Sequence, residues 1–176
     1  MSYDPVIQQA EIIRTHTIAV LVDNEAGVLA RVIGLFSARG YNIESLTVAE
    51  VDAREHTSRI TIVTSGTAQV IEQIKAQLDR LVPVHRVVDL TTETEPLERE
   101  MALIKVKGGG EKRVEALRIA EAFRARVVDT TLNSFVFELT GSPSKINTYI
   151  ELMRPLGLID VSRTGIAAIS RGPEAL

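Results

Sequence analysis

The sequence predicts an α+β fold made of two similar halves in tandem, and three observations predict it. Apolar residues alternate with period two in some segments and recur at helical spacing in others. The two patterns follow one another as strand, helix, strand, strand, helix, strand, once before residue 91 and again after residue 100. Between the two passages lies a polar stretch rich in threonine and acid, broken by Pro96.

Taken in order, Ile18, Val20 and Val22 alternate and predict a strand over 17–22. Val28, Leu29, Val32, Ile33, Leu35 and Phe36 form a broad apolar helix face within 28–39, and Gly40 follows where a left-handed cap belongs. Residues 42–50 are rich in β-branched side chains and predict a second strand; Asp52–Glu55 is a polar turn, and Ile60 and Ile62 alternate in a third strand. Val70, Ile71, Ile74, Leu78 and Leu81 lie on one helical stripe, with Thr67 as its cap and Pro83 as its stop. Val84, Arg86, Val88 and Leu90 then alternate as a fourth strand. This βαββαβ order is the split, ferredoxin-like unit.

Residues 92–100 read as a linker. Beyond it, 101–106 is a strand and 111–124 a helix with Val114, Leu117, Ala120 and Phe123 facing inward. Strands follow at 126–132 and at 134–140, where Phe135, Phe137 and Leu139 alternate. Ser142-Pro143 supplies an N-cap with proline at the first helical position, ahead of the stripe Ile146, Tyr149, Ile150 and Met153. Residues 158–162 return as a strand, and 166–169 add a short one. The expected organisation is an N-terminal extension (1–13), a first domain (14–91), the linker (92–100) and a second domain (101–172).

Composition narrows the function. A chain of 176 residues buries roughly 70% of its unfolded surface on folding. The net charge of −3 and 4% aromatic content offer neither a basic field nor a stacking platform for nucleic acid. The absence of cysteine removes disulfides, thiolate-bound zinc and a thiol nucleophile. His16, His56 and His85 have no ligand-spaced partners, so no metal is expected. No apolar run reaches the length of about 20 residues that a membrane helix needs, and residues 1–13 lack a signal-peptide core. A soluble cytoplasmic protein without catalytic residues is expected. Gly108-Gly109-Gly110 matches no phosphate-loop pattern and reads as a flexible turn; Glu98-Arg99-Glu100 reads as solvated charge.

The informative run is Asp23-Asn24-Glu25-Ala26-Gly27-Val28-Leu29, which sets a polar loop and a glycine at a helix N-terminus. Two readings are open: Asp23 or Asn24 caps the helix, or backbone N–H groups near Ala26–Leu29 hold an α-carboxylate while the Asn24 amide oxygen accepts from an α-ammonium group. Asn42, with Ile43 beside it, contributes if a second chain places it against this loop.

Residues 23–48, DNEAGVLARVIGLFSARGYNIESLTV, resemble the N-terminal ACT domain of the acetolactate synthase (acetohydroxyacid synthase) small-subunit family. The similarity extends from about Arg14 to Gly172, taking in Arg99-Glu100, Leu103–Val106, Arg163-Thr164-Gly165 and Ser170-Arg171-Gly172. The resemblance implies two ferredoxin-like domains, the first an ACT domain, and a homodimer formed through ACT domains. It implies valine bound at the dimer interface, by Asn24, Ala26, Gly27, Val28 and Leu29 of one chain and Asn42 and Ile43 of the other. It further implies a non-catalytic regulatory partner for a large catalytic subunit, which carries thiamine diphosphate, Mg²⁺ and FAD; this chain holds no cofactor. A stand-alone ACT amino-acid sensor acting on another partner is the alternative.

Overall fold

The computed structural model describes residues 12–176. The expected N-terminal extension therefore lies outside the described residues, save Ile12 and Ile13. The chain divides into two compact units, one holding residues up to 44 with 48–93, the other 45–47 with 94–175.

In the first unit, strand β1 (Arg14–Asp23) leads to helix α1 (Val28–Arg39), strand β2 (Ser45–Asp52), strand β3 (Thr57–Gly66), helix α2 (Ala68–Leu78), strand β4 (Val84–Asp89) and one helical turn, α3 (Leu90–Glu93). The antiparallel sheet runs β2-β3-β1-β4, so β2 is an edge. Ile18 opposes Ile62 and Val20 opposes Ile60. The helices add Val28, Val32 and Phe36, and Ile71, Ile74 and Leu78, all buried. Each such side chain withdrawn from water stabilises the unit by about 1.5–3 kcal/mol relative to exposure. Gly40, at φ +70°, ends α1: its N–H donates to Ser37 O, the Tyr41 N–H donates to Phe36 O, and the Phe36 and Tyr41 rings meet edge to face. Thr67 caps α2 by accepting from the Val70 N–H, as its sequence position predicts. That helix ends at Leu78, ahead of Pro83, and strand β2 begins at Ser45, which leaves Asn42 in the segment before it.

In the second unit, β5 (Pro96–Lys107) leads to α4 (Gly110–Phe123), β6 (Arg126–Thr130), β7 (Ser134–Gly141), α5 (Pro143–Met153), a 3₁₀ turn (Arg154–Leu156), β8 (Leu158–Arg163) and β9 (Ala167–Ser170). The sheet runs β6-β7-β5-β8, with β9 paired to the first residues of β5. Its core holds an aromatic cluster among aliphatic side chains: the Tyr149 ring packs against Phe123 and Phe137. The Ser142 hydroxyl caps α5 by accepting from the Lys145 N–H.

Three expectations are corrected here. The stretch read as a linker holds the end of α3 and, from Pro96, a strand; its polar composition reflects a strand whose first half pairs with β9. Glu100 is not solvated but buried, held by the Arg163 guanidinium, which also donates to Asn147 Oδ1. The inward stripe of α4 is Ala116, Ile119, Ala120 and Phe123, whereas Val114 and Leu117 are exposed. The two stripes share Ala120 and Phe123 but lie about half a turn apart at their start, and small alanines satisfy a helix packed close to its sheet.

Both units carry a β-bulge at the same place. Leu21 pairs with Arg86 but Val22 with Val84, which leaves His85 extra; Lys105 pairs with Asp160 but Val106 with Leu158, which leaves Ile159 extra. Each bulge lies beside the end of the strand that enters the first helix of its unit.

Candidate functional site

The turn from β1 to α1 is built around Gly27, which takes φ +88°. An L-residue is strained there, and a Cβ on Gly27 would meet nothing within 4 Å, so the turn needs glycine's freedom and leaves open space in front of it. No side chain caps α1, and no acidic residue occupies its first turn. The capping reading of Asp23 and Asn24 therefore falls. Asp23 Oδ1 lies 2.6 Å from His85 Nε2, and the Asn24 amide donates to Glu50 Oε1 at 3.1 Å. The backbone fixes the turn as well: the Asp23 N–H donates to Pro83 O and the Asn24 N–H to His56 O.

A helix N-terminus free of side-chain caps presents N–H donors and a partial positive charge, which suits a carboxylate. Asn24, Glu25, Ala26, Gly27 and Leu29 are exposed, while Val28 is buried and anchors the helix.

Asn42 and Ile43 stand elsewhere. The Asn42 carbonyl accepts from Thr64 Oγ1, and the Glu44 N–H donates to Val63 O, so this segment runs along the far end of β3. Asn24 is tied to His56, just before β3 begins. The anchors His56 and Thr64 are eight residues apart along extended chain, about 26 Å. Within one chain the loop and Asn42 do not come together.

What flanks them is an unpaired edge. Strand β2 pairs with one strand only; its first three residues are half-buried and its residues 48–52 exposed, Val48 and Val51 among them, as are Leu29 and Ile33 on α1. An open edge with apolar neighbours is a template for another strand.

Sequence reasoning missed two residues around this turn. His85 is extra in the ladder, and bulges carry no period of their own; Glu50 gives no signal in a one-dimensional pattern. The triglycine turn, Gly108-Gly109-Gly110, is shut from one side, since a Cβ on Gly108 would lie 3.2 Å from Leu156 O. Among the described residues no group of three or more His, Asp or Glu is placed to hold a metal ion, and no helix is long and apolar enough to cross a membrane.

The βαββαβ unit with an uncapped helix start beside a sheet edge is a ferredoxin-like domain, the layout that the resemblance to an ACT domain implies. Comparison with known proteins takes this further. A family described as "AHAS small subunit-like ACT domain" matches residues 18–86, and one described as "Small subunit of acetolactate synthase" matches residues 99–172. A probable acetolactate synthase small subunit of Archaeoglobus fulgidus is 47% identical over 157 residues, 89% of this chain and 97% of that one. The acetolactate synthase small subunit of Haemophilus influenzae is 44% identical over 158 residues, 89% of this chain and 96% of that one. The crystal structure of the acetolactate synthase small subunit from Thermotoga maritima superposes with a TM-score of 0.80 at 37% identity, covering 92% of this chain and 99% of that chain. The chain belongs to the acetolactate synthase small-subunit family.

Proposed function

We propose that this chain is the regulatory subunit of an acetolactate synthase, that it activates a separate catalytic subunit, and that valine bound between two ACT domains turns the activation down. The observation that carries the site is the separation of its halves. The open start of α1 and Asn42 lie at opposite ends of β3 in one chain. A second chain adding its β2 antiparallel to this β2 would bring its Asn42 and Ile43 to this chain's loop.

In that arrangement the effector's carboxylate meets the N–H groups at Ala26–Leu29, and its ammonium group meets the amide oxygens of Asn24 and of Asn42 across the interface. Leu29 and Ile43 offer apolar contact to a branched side chain, while Val28, buried, anchors the helix behind them. A zwitterion brings both charges itself, so neutral protein groups suffice. The thiamine diphosphate, Mg²⁺ and FAD of the reaction belong to the catalytic subunit in this reading. Valine changes activity only to the extent that it binds the active and inactive arrangements unequally, a difference of about 1–3 kcal/mol in typical allosteric systems.

The test is acetolactate formation from pyruvate by the catalytic subunit, with and without this chain, across a valine titration. Activation that valine reverses supports the proposal, and Asn42→Ala should weaken the reversal. If the chain binds valine yet leaves the catalytic subunit unaffected, it is an amino-acid sensor for another partner.

A further inference from the structure

We propose that His85 is a positioning residue of the effector loop, which keeps the Asp23 carboxylate away from the start of α1. The proposal rests on the effector-site reading above and adds to it a residue outside the loop.

Asp23 is the last residue of β1 and opens the turn whose far side is the uncapped N-terminus of α1. A carboxylate at that place has two natural partners. One is the helix start itself, since aspartate is a favoured N-cap and a negative charge is stabilised there. The other is whatever hydrogen-bond donor lies within reach. The bulge in β4 decides between them. Because Val22 pairs with Val84 and Leu21 with Arg86, His85 is left over in the ladder, and its imidazole Nε2 sits 2.6 Å from Asp23 Oδ1. The Asp23 N–H, bound to Pro83 O, fixes the backbone in the same orientation.

With Asp23 so held, the N–H groups of α1 have no side-chain acceptor from the loop. An incoming carboxylate then meets the start of α1 without the Asp23 carboxylate as a competitor; Glu25, exposed in the same loop, meets the Val28 N–H through its backbone carbonyl. The corresponding bulge in the second unit projects Ile159, and α4 carries Glu111 in its own first turn. The pairing of a bulged imidazole with the strand-end carboxylate occurs in the unit whose first helix carries no acid in its first turn.

The experiment is calorimetric titration of valine into the full chain, with a thermal melt of each variant as a folding control. His85 is half exposed, so its replacement should leave the melt near that of the parent. His85→Leu should weaken valine binding roughly threefold, the scale of one partly exposed hydrogen bond to a carboxylate. His85→Gln, which keeps a donor, should bind nearly as the parent does. Adding Asp23→Asn to His85→Leu should restore the affinity, because the freed carboxylate is then gone; a merely structural role for His85 would show no such rescue. The proposal is overturned if His85→Leu binds valine as tightly as the parent, or if Asp23→Asn fails to rescue it. It is equally overturned if Asp23→Asn alone abolishes binding, since Asp23 would then hold the effector itself. Valine binding by none of the chains, the parent included, would remove the effector-site reading and this proposal with it.

Discussion

The two units repeat one junction, a strand end, a glycine turn and a helix start, with opposite finishes. In the first, Gly27 leaves free space in front of α1, whose first turn has neither a capping side chain nor an acid. In the second, α4 also lacks a side-chain cap and a Cβ on Gly109 or Gly110 would meet nothing within 4 Å, but Glu111 lies in its first turn. A Cβ on Gly157 would fall 2.0 Å from Lys107 O, and one on Gly108 3.2 Å from Leu156 O. In the second junction the strand end, Lys107-Gly108, packs against Leu156-Gly157; both helix starts have open space in front of them, and they differ in the acid that only α4 carries in its first turn. A repeated fold thus gives two equivalent positions that differ in local charge: Glu111 lies in the first turn of α4, and no acid lies in that of α1.

The largest effect that sharpens this contrast is at the strand end of the second junction. Gly157→Ala combines φ +105° with an impossible approach to Lys107 O, and should destabilise the chain by about 3 kcal/mol, read from the midpoint of denaturant unfolding. The first junction should respond in function instead. Gly27→Asp sets a carboxylate where the effector's carboxylate is proposed to sit, and should weaken valine binding by about 2 kcal/mol, roughly thirtyfold. Gly27→Ala carries similar backbone strain without the charge, so equal losses for the two variants would remove the electrostatic explanation.

Smaller effects test the helix ends. Arg124 closes α4 at φ +58° with the bonding that Gly40 uses to close α1: its N–H donates to Glu121 O and the Ala125 N–H to Ala120 O. Arg124→Gly should therefore raise stability by about 0.5–1 kcal/mol, the strain of a left-handed residue less the flexibility that glycine adds to the unfolded chain. A lower melting temperature would mean that the arginine side chain contributes more than its backbone costs. Smallest of all is Tyr149→Phe. The buried Tyr149 hydroxyl has no hydrogen-bond partner, and desolvation pushes the phenol's pKa up. Removing the oxygen should be neutral or stabilising by about 0.5 kcal/mol in thermal unfolding.

Much of this was legible along the chain, for reasons that particular residues show. Helix α1 has the bounds that its apolar spacing and Gly40 imply, and Thr67 and Ser142 cap the helices they precede. Local signals succeed there because capping and periodicity are local physics. Residues 96–100 failed as a linker because strand β5 takes its pairing from β9, about seventy residues away, and polar residues tolerate that place. Val114 and Leu117 misled because α4 settles close to its sheet on alanines, a packing choice that hydrophobicity alone does not reveal. At the site, Asn24 and Gly27 stood out through turn chemistry. Their relation to His85 and Glu50 depends on a bulge and an edge strand, and neither has a sequence period.

The distance along β3 has a genetic consequence. If each effector site takes its loop from one chain and its amide from another, a Gly27→Asp chain still carries an intact Asn42, and an Asn42→Ala chain an intact loop. Co-expressed, the two defective alleles should complement: half of the dimers that form at random would pair unlike chains, and each of those would contain one site with both halves whole.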